Sequence, residues 1–342
     1  MIGNPNLNMS SFDIIIIGAG PSGCIAAITA ARHNYKTLLI TSKQKFEPNN
    51  LLPASESIHP ACHTMLTKLG LAHCIEKSFR GTYSCIQTGT NVAGFFEQKL
   101  PNGLHINRKV FDEELLAYAN KCGVKILFDE VVDFTYEHNS SRISGITTSC
   151  GLRYTAFYTI DASGRKRLGG RKMKWQEKHF SPPLGVWTGT AESDCAQYKA
   201  TTTHFIPNED GWLWLAPEAN GLVSWTKLSR NSKDPPFEIT GLKKIQRTKF
   251  ANMRWRIFRP VCTEGLILTG DAAGIIDPAA GRGILNGIIS GVLALEAIPK
   301  TKTNPVREAI YLFDYDSWFL NTYMSCVKQL SKYYRDHNIN LM

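Results

Sequence analysis

The chain has 342 residues, with 43% hydrophobic and 20% charged side chains and a formal net charge of +10. This suits a globular protein of one large or two ordinary domains and excludes disordered, collagen-like and multi-span membrane chains. The nine cysteines are scattered, odd in number and without metal-ligand spacing, which predicts no metal site and free thiols in a reducing compartment, the cytoplasm.

Met1 to Ser11 is polar and lacks a basic or apolar leader pattern, so no secretory signal is expected. Ile14 to Ile17 is a β-branched apolar run, the mark of a central parallel strand. Residues 20 to 32 read as an alanine-rich helix and Lys36 to Ser42 as a second strand, completing a βαβ unit. Phe46 to Pro60 reads as a loop, and His63 to Leu71 as a helix ended by Gly70. Asn107 to Gly123 carries apolar residues at helical spacing, and "VKILFDEVVDF" follows as a strand pair or kinked strand. "RISGITT" and "YTAFYTIDAS" predict a hairpin returning into the parallel sheet.

The run "GRKRLGGRKMKWQEK" from Gly164 holds part of the excess positive charge and reads as a surface loop. No reader motif accompanies the charge, so no nucleic-acid partner is expected. Ala200 to Leu228 predicts a three-strand meander with turns at "PNED" and "EAN". "GLILTGDAAG" is a strand entering a glycine turn, followed by a helix from Ile284. Asn286, Gly287, Ser290 and Gly291 interrupt that helix, which therefore reads as buried rather than membrane-spanning. The aromatic-rich last stretch reads as helical.

Two glycine motifs carry the chemistry. In "DIIIIGAGPSGCIAAITAA", Gly18 permits a tight turn, Gly20 leaves room for a pyrophosphate, and Gly23 lets the helix pack on the strand. Pro21 and Ser22 begin the helix, whose free N–H groups and dipole favour phosphate. The acid expected about 20 residues on, to hold a ribose, is replaced by Thr41 and Ser42, whose hydroxyls bond more weakly than a carboxylate. In "LTGDAAGIIDPAAGRGILNGI", Asp271 ends a strand and can bond a ribityl hydroxyl. Pro278, Gly281, Gly283 and Ile284 lead into a helix whose N–H groups can face the flavin N1–C2=O edge. The second motif favours a flavin over a nicotinamide dinucleotide.

With "INRKVFDEELL" and "YTIDASGR" in order between these motifs, the chain resembles the FAD-dependent oxidoreductases of the p-hydroxybenzoate hydroxylase fold. That family includes aromatic monooxygenases, geranylgeranyl reductases and tryptophan halogenases. The resemblance implies an α/β fold with a Rossmann-like FAD-binding domain at 11–45, 104–165 and 255–300. A smaller antiparallel-sheet domain facing substrate or partner would take 46–103 and 166–254, and 301–342 would add a helical segment. It further implies that Arg108 lies near FAD and that Val131 and Val132 meet the adenine through backbone. Reducing electrons would come from NAD(P)H or a separate flavin reductase, with O₂ as co-substrate.

"SESIHPACHTMLTKLGL" is similar to a segment that lies against the isoalloxazine in halogenases and geranylgeranyl reductases. It nominates Glu56 and His59 as candidate catalytic acid or base, although a lone histidine is more often structural. "GWLWLAP" resembles the Trp-x-Trp-x-Ile-Pro signature of flavin halogenases. Trp212 and Trp214 share one side of a strand, facing substrate or packing between sheet and flavin domain. The lysine that halogenases need corresponds to about Tyr83 and Ser84, where none stands. The region between Gly164 and Phe250 is short, as in LodB/GoxB-type flavoproteins, which oxygenate a tryptophan of a quinoprotein amino-acid oxidase precursor during cysteine tryptophylquinone biogenesis. That resemblance implies a protein substrate. The alternatives are a lipid-alkene reductase, a small-aromatic monooxygenase or halogenase-like enzyme, and a non-catalytic flavoprotein chaperone.

Overall fold

A run of four isoleucines with no polar alternation must be buried on both faces, and a parallel sheet supplies that burial. In the computed structural model, which describes residues 10–42, 55–89, 96–193, 198–230, 242–245, 248–303 and 307–341, Ser10–Ile17 lies between two parallel neighbours. Ile15 is in register with Leu38 of Thr37–Thr41 on one side and with Thr159 of Arg153–Asp161 on the other. The eight-stranded sheet runs Cys262–Thr263, Leu266–Leu268, Arg153–Asp161, Ser10–Ile17, Thr37–Thr41 and Lys125–Phe128. The antiparallel strands Val131–Tyr136 and Ile143–Thr148 join it through Arg153–Asp161.

Helix Pro21–Arg32 closes the first βαβ unit and buries Cys24, Ile25, Ala26, Ala27, Ile28 and Ala30. Helix Gly283–Thr303 packs on it at backbone distance: a Cβ on Gly291 would lie 2.7 Å from the Ser22 carbonyl oxygen. Helix Arg108–Lys121 begins where the Asn107 side chain accepts from the Lys109 and Val110 N–H groups.

A nine-stranded sheet forms the second layer. Its main path runs Leu242–Lys244, Gly185–Ser193, Leu222–Ser229, Gly211–Pro217, Thr202–Asn208, Phe79–Thr88, Phe96–Asn107 and Ser55–Ile58, with Lys249–Asn252 paired to Gly185–Ser193. A three-stranded sheet of Gln176–His179, Arg256–Arg259 and Gly274–Ile275 lies apart from both larger sheets. Helix Glu308–Asp336 follows. Among the described residues no helix is long and apolar enough to cross a membrane.

The predicted βαβ unit, hairpin, meander and late helices are all present. Three expectations change. Of the predicted loop Phe46 to Pro60, residues 46–54 lie outside the described residues, and Ser55–Ile58 is a strand because Phe96–Asn107 pairs with it. The helix expected from His63 starts at Pro60, with His59 as its cap. The "GRKRLGG" stretch forms a single 3₁₀ turn and the short helix Leu168–Lys172 rather than a free loop.

Candidate active site

The parallel strands end side by side, with Ile17, Ile40, Asp161 and Leu268 in register, at the edge where open α/β sheets take ligands. Gly18 turns there at φ +104° and donates its N–H to the Ile40 carbonyl at 2.7 Å. A Cβ on Gly18 would reach 2.4 Å from the Ala162 oxygen, and one on Gly23 would reach 1.9 Å from the Gly18 oxygen. Gly20 is different in kind, because nothing lies within 4 Å of where its Cβ would stand. It caps the helix without a side-chain bond, leaving Pro21 and Ser22 to open the first turn. Room for a phosphate above bare N–H groups is what a dinucleotide needs.

The second motif meets the first directly. Ser22 Oγ donates to Thr269 Oγ1 at 2.9 Å, one residue before Gly270 and two before Asp271. Burial raises the Asp271 carboxyl, while Arg108, Arg256 and Arg165 pull it back toward ionisation. Arg108 therefore does share a region with Asp271. Its guanidinium is held from two sides, by Glu56 at 2.8 Å and Asp112 at 2.8 Å. Past the exposed Pro278, Gly281 and Gly283 repeat the signature of Gly20, with nothing within 4 Å of either Cβ. Ile284 is buried behind them. These features fit FAD laid from the first helix N-terminus to the second.

At the far end, the Asp129 N–H donates to the Thr41 carbonyl at 3.1 Å, and Val131 opens the next strand. Thr41 is buried and Ser42 exposed. Lys166 reaches Ser42 Oγ at 3.3 Å and Glu130 at 2.9 Å, and Arg167 pairs with Glu177. Two cations of the basic run are thus already engaged within the fold.

On the other side of the site, His59 Nδ1 accepts from the Ala61 N–H at 3.1 Å and caps helix Pro60–Lys68. Burial, then the nearby Arg282, lower its pKa. With Nδ1 accepting, the proton of the neutral ring sits on Nε2, so His59 offers a donor. Glu56 is committed to Arg108.

The two tryptophans separate. Trp212, expected to face substrate, is only 1% exposed, and its Nε1 donates to Asp277 at 3.1 Å and Tyr334 at 2.8 Å. Its polar atom and its surface are both used inside the fold. Trp214 is half-buried and donates to Ser57 Oγ at 3.2 Å. Ser57 Oγ lies 3.0 Å from His105 Nδ1. An indole N–H can only donate, so Ser57 accepts from Trp214 and passes its own hydrogen to His105. Burial pushes His105 down to about 4, so its ring is neutral, and its buried Nε2 has no hydrogen-bond partner among the described residues. Tyr83 stacks on His105 at 4.8 Å and meets Trp214 edge-on at 6.2 Å. Sequence reasoning missed Ser57 and His105, because only strand pairing sets them opposite one another.

A family model for FAD-dependent oxidoreductases matches residues 13–169, the stretch that holds the glycine turn, Arg108 and the hairpin. That stretch of the chain is that of an FAD-dependent oxidoreductase. Across 95% of its length the chain is 23% identical to the 1H-pyrrole-2-carbonyl-[peptidyl-carrier protein] chlorinase of Pseudomonas fluorescens, covering 84% of that protein. It is 26% identical to the digeranylgeranylglycerophospholipid reductase of Methanocella arvoryzae over 83% of the chain and 76% of the reductase. Among solved structures it superposes on QhpG, a peptidyl tryptophan dihydroxylase essential for tryptophylquinone cofactor biogenesis. The TM-score is 0.75 at 17% identity, over 97% of this chain and 76% of QhpG. The chain therefore has the fold of flavin halogenases, geranylgeranyl reductases and hydroxylases.

Proposed function

We propose that this flavoprotein is a monooxygenase that inserts oxygen into a tryptophan side chain of a partner protein, as in maturation of a tryptophylquinone oxidase precursor. The observation that carries the reading is the wall of Trp214, Ser57, His105 and Tyr83. It presents aromatic surface and fixed neutral groups around Tyr83, near which the sequence resemblance sets the halogenase lysine. The structural likeness to QhpG supports a peptidyl aromatic substrate, and the LodB/GoxB-type resemblance of the sequence points the same way.

In this reading Gly20, Pro21, Ser22 and Gly23 hold the pyrophosphate of FAD, with Thr41, Ser42 and Val131 at the adenosine end. Asp271 takes the ribityl chain, and Gly281, Gly283 and Ile284 face the isoalloxazine. When bound and reduced by NAD(P)H or a partner reductase, FAD would supply the two electrons that activate O₂. One oxygen atom enters a ring C–H bond of the substrate, and the other leaves as water with two protons. Arg108, braced by Glu56 and Asp112, keeps a positive charge beside Asp271. His59 Nε2–H serves as a neutral donor toward the reacting oxygen, a role that needs no titration near neutral pH. Trp214 forms the apolar wall that orients the substrate ring and excludes water.

The test is co-expression with a candidate quinoprotein oxidase precursor, followed by mass spectrometry of that precursor. The expected result is a gain of whole oxygen atoms located at a tryptophan. Rapid flavin reoxidation by a lipid alkene without O₂ consumption would instead establish the reductase reading, to which the 26% identity to the Methanocella arvoryzae enzyme lends weight.

A further inference from the structure

Helix Glu308–Asp336 lies outside every motif that pointed to a flavin, yet it grips the second glycine motif at three places. Tyr315 OH donates to the Leu268 carbonyl at 2.8 Å, on the strand just before Gly270 and Asp271. Tyr323 OH donates to the Ile275 carbonyl at 3.2 Å, just past the turn. Tyr334 OH accepts from Trp212 and bonds the Asp277 carboxylate. All three rings are buried. Leu268, Ile275 and Asp277 bracket Asp271 and lead directly into Pro278–Gly283.

Asp277 gathers donors from four parts of the chain. Its Oδ1 accepts from Trp212 at 3.1 Å and from the Ala279 N–H at 2.9 Å. Its Oδ2 accepts from Trp255 at 3.1 Å, and Tyr334 supplies the fourth bond. The meander, the segment before Arg256–Arg259, the C-terminal helix and the loop itself are thus tied at one carboxylate. A small cleft of about 40 Å³ is lined from the motif side by Asp271, Gly283 and Asn286 and from the helix by Trp318, Phe319 and Tyr323.

We infer that Tyr315, Tyr323, Tyr334 and Asp277 are positioning residues for the flavin, a clamp that fixes the Gly270–Gly283 backbone. The inference rests on the assignment of FAD to that motif. Each phenol removes one backbone carbonyl or carboxylate oxygen from motion, and a buried acceptor stripped of its donor relaxes to find another. The first tryptophan of the Trp-x-Trp signature also acquires a role: Trp212 braces Asp277 together with Tyr334.

The test uses Tyr323→Phe and Tyr334→Phe, which keep the rings and remove only the O–H groups. Glu308→Gln serves as control, since Glu308 bonds Arg142 and Tyr158 at the other end of the helix. FAD is titrated into each apoprotein, and the bound flavin's spectrum and midpoint potential are recorded beside Tm and amide exchange. Each tyrosine variant is expected to weaken FAD binding roughly tenfold, the value of about one hydrogen bond, and to shift the potential. The control should lower Tm alone. Wild-type affinity and potential in both tyrosine variants, with Tm lowered as in the control, would overturn the clamp. If Tyr334→Phe does not fold, Tyr323→Phe carries the same comparison. If the wild type takes up no FAD, the flavin assignment fails. The clamp is then judged by whether Tyr334→Phe, unlike the control, speeds exchange of the Gly270–Gly283 amides.

Discussion

Three glycines of one motif answer to different constraints. Gly18 and Gly23 face neighbouring backbone at under 2.5 Å from any added Cβ, so substitution there disrupts the fold. Gly20 has open space, so a valine there meets no protein atom within 4 Å of its Cβ and instead fills the room left for the pyrophosphate. Gly20→Val is expected to keep the Tm of the apoprotein and to abolish FAD uptake, as read by flavin absorbance after gel filtration. Gly23→Ala is expected to lose about 3 kcal/mol or more of stability, measured by denaturant melts. Asp277 gives a prediction in pH. Burial raises its carboxyl from the ordinary 3.8 to about 6, against the bonds from Tyr334, Ala279, Trp255 and Trp212 that favour the charged form. The native state therefore binds this proton more tightly than the unfolded chain between about pH 4 and pH 6. Its contribution to stability is full below that window and falls as pH rises through it, by on the order of 1–3 kcal/mol. Asp277→Asn should flatten that portion of the pH–stability curve, and an unchanged slope would count against the assignment.

Elements differ in how far sequence reveals them. The glycine turns, the isoleucine strand and the Asn107-capped helix are local, since each depends on residues within a few positions, and all were legible. Strand Ser55–Ile58 was not, because its polar "SESI" becomes a strand only when Phe96–Asn107 offers it a partner. The same non-local pairing creates the Ser57–His105 contact, so half of the candidate substrate wall could not be read from spacing. Trp212 and Trp214 were correctly placed on one face, but burial decided their different fates. The C-terminal helix was legible as a helix and illegible as part of the flavin site, since its tyrosines meet partners scattered between Trp212 and Asp277. Its start is anchored by Glu308, which receives Arg142 at 2.8 Å with side-chain exposures of only 11% and 12%. Glu308→Ala leaves that arginine with only the exposed Glu137 carboxylate, at 3.3 Å, and is expected to cost about 3 kcal/mol in unfolding free energy, without altering FAD affinity.

The whole molecule joins a parallel sheet, in a fold shared with halogenases, reductases and a tryptophan dihydroxylase, to an antiparallel sheet that carries the proposed substrate wall. A shared flavin site cannot choose among these reactions, so the choice falls to that wall. The sequence resemblance sets the halogenase lysine at about Tyr83 and Ser84, and the Tyr83 ring lies 2.1 Å from where a Cβ on Gly103 would stand. The glycine admits the ring, the ring stacks on His105, and His105 fixes Ser57 and Trp214 in turn. An ammonium group at position 83 would have to enter this apolar, buried stack without a counter-charge, which is costly. On the proposed reading the wall holds an aromatic ring, and Tyr83, Ser57, His105 and Trp214 offer no cation to handle hypohalous acid. With reduced FAD, O₂, and chloride or bromide, the protein is expected to yield no halogenated product from free tryptophan. Sustained halogenation detected by mass spectrometry would show that another side chain does the work of the lysine and would return the protein to the halogenases. In the absence of such product, Trp214→Ala should slow oxygenation of a partner's tryptophan mainly through kcat, because a misplaced ring still binds but meets the oxygen poorly.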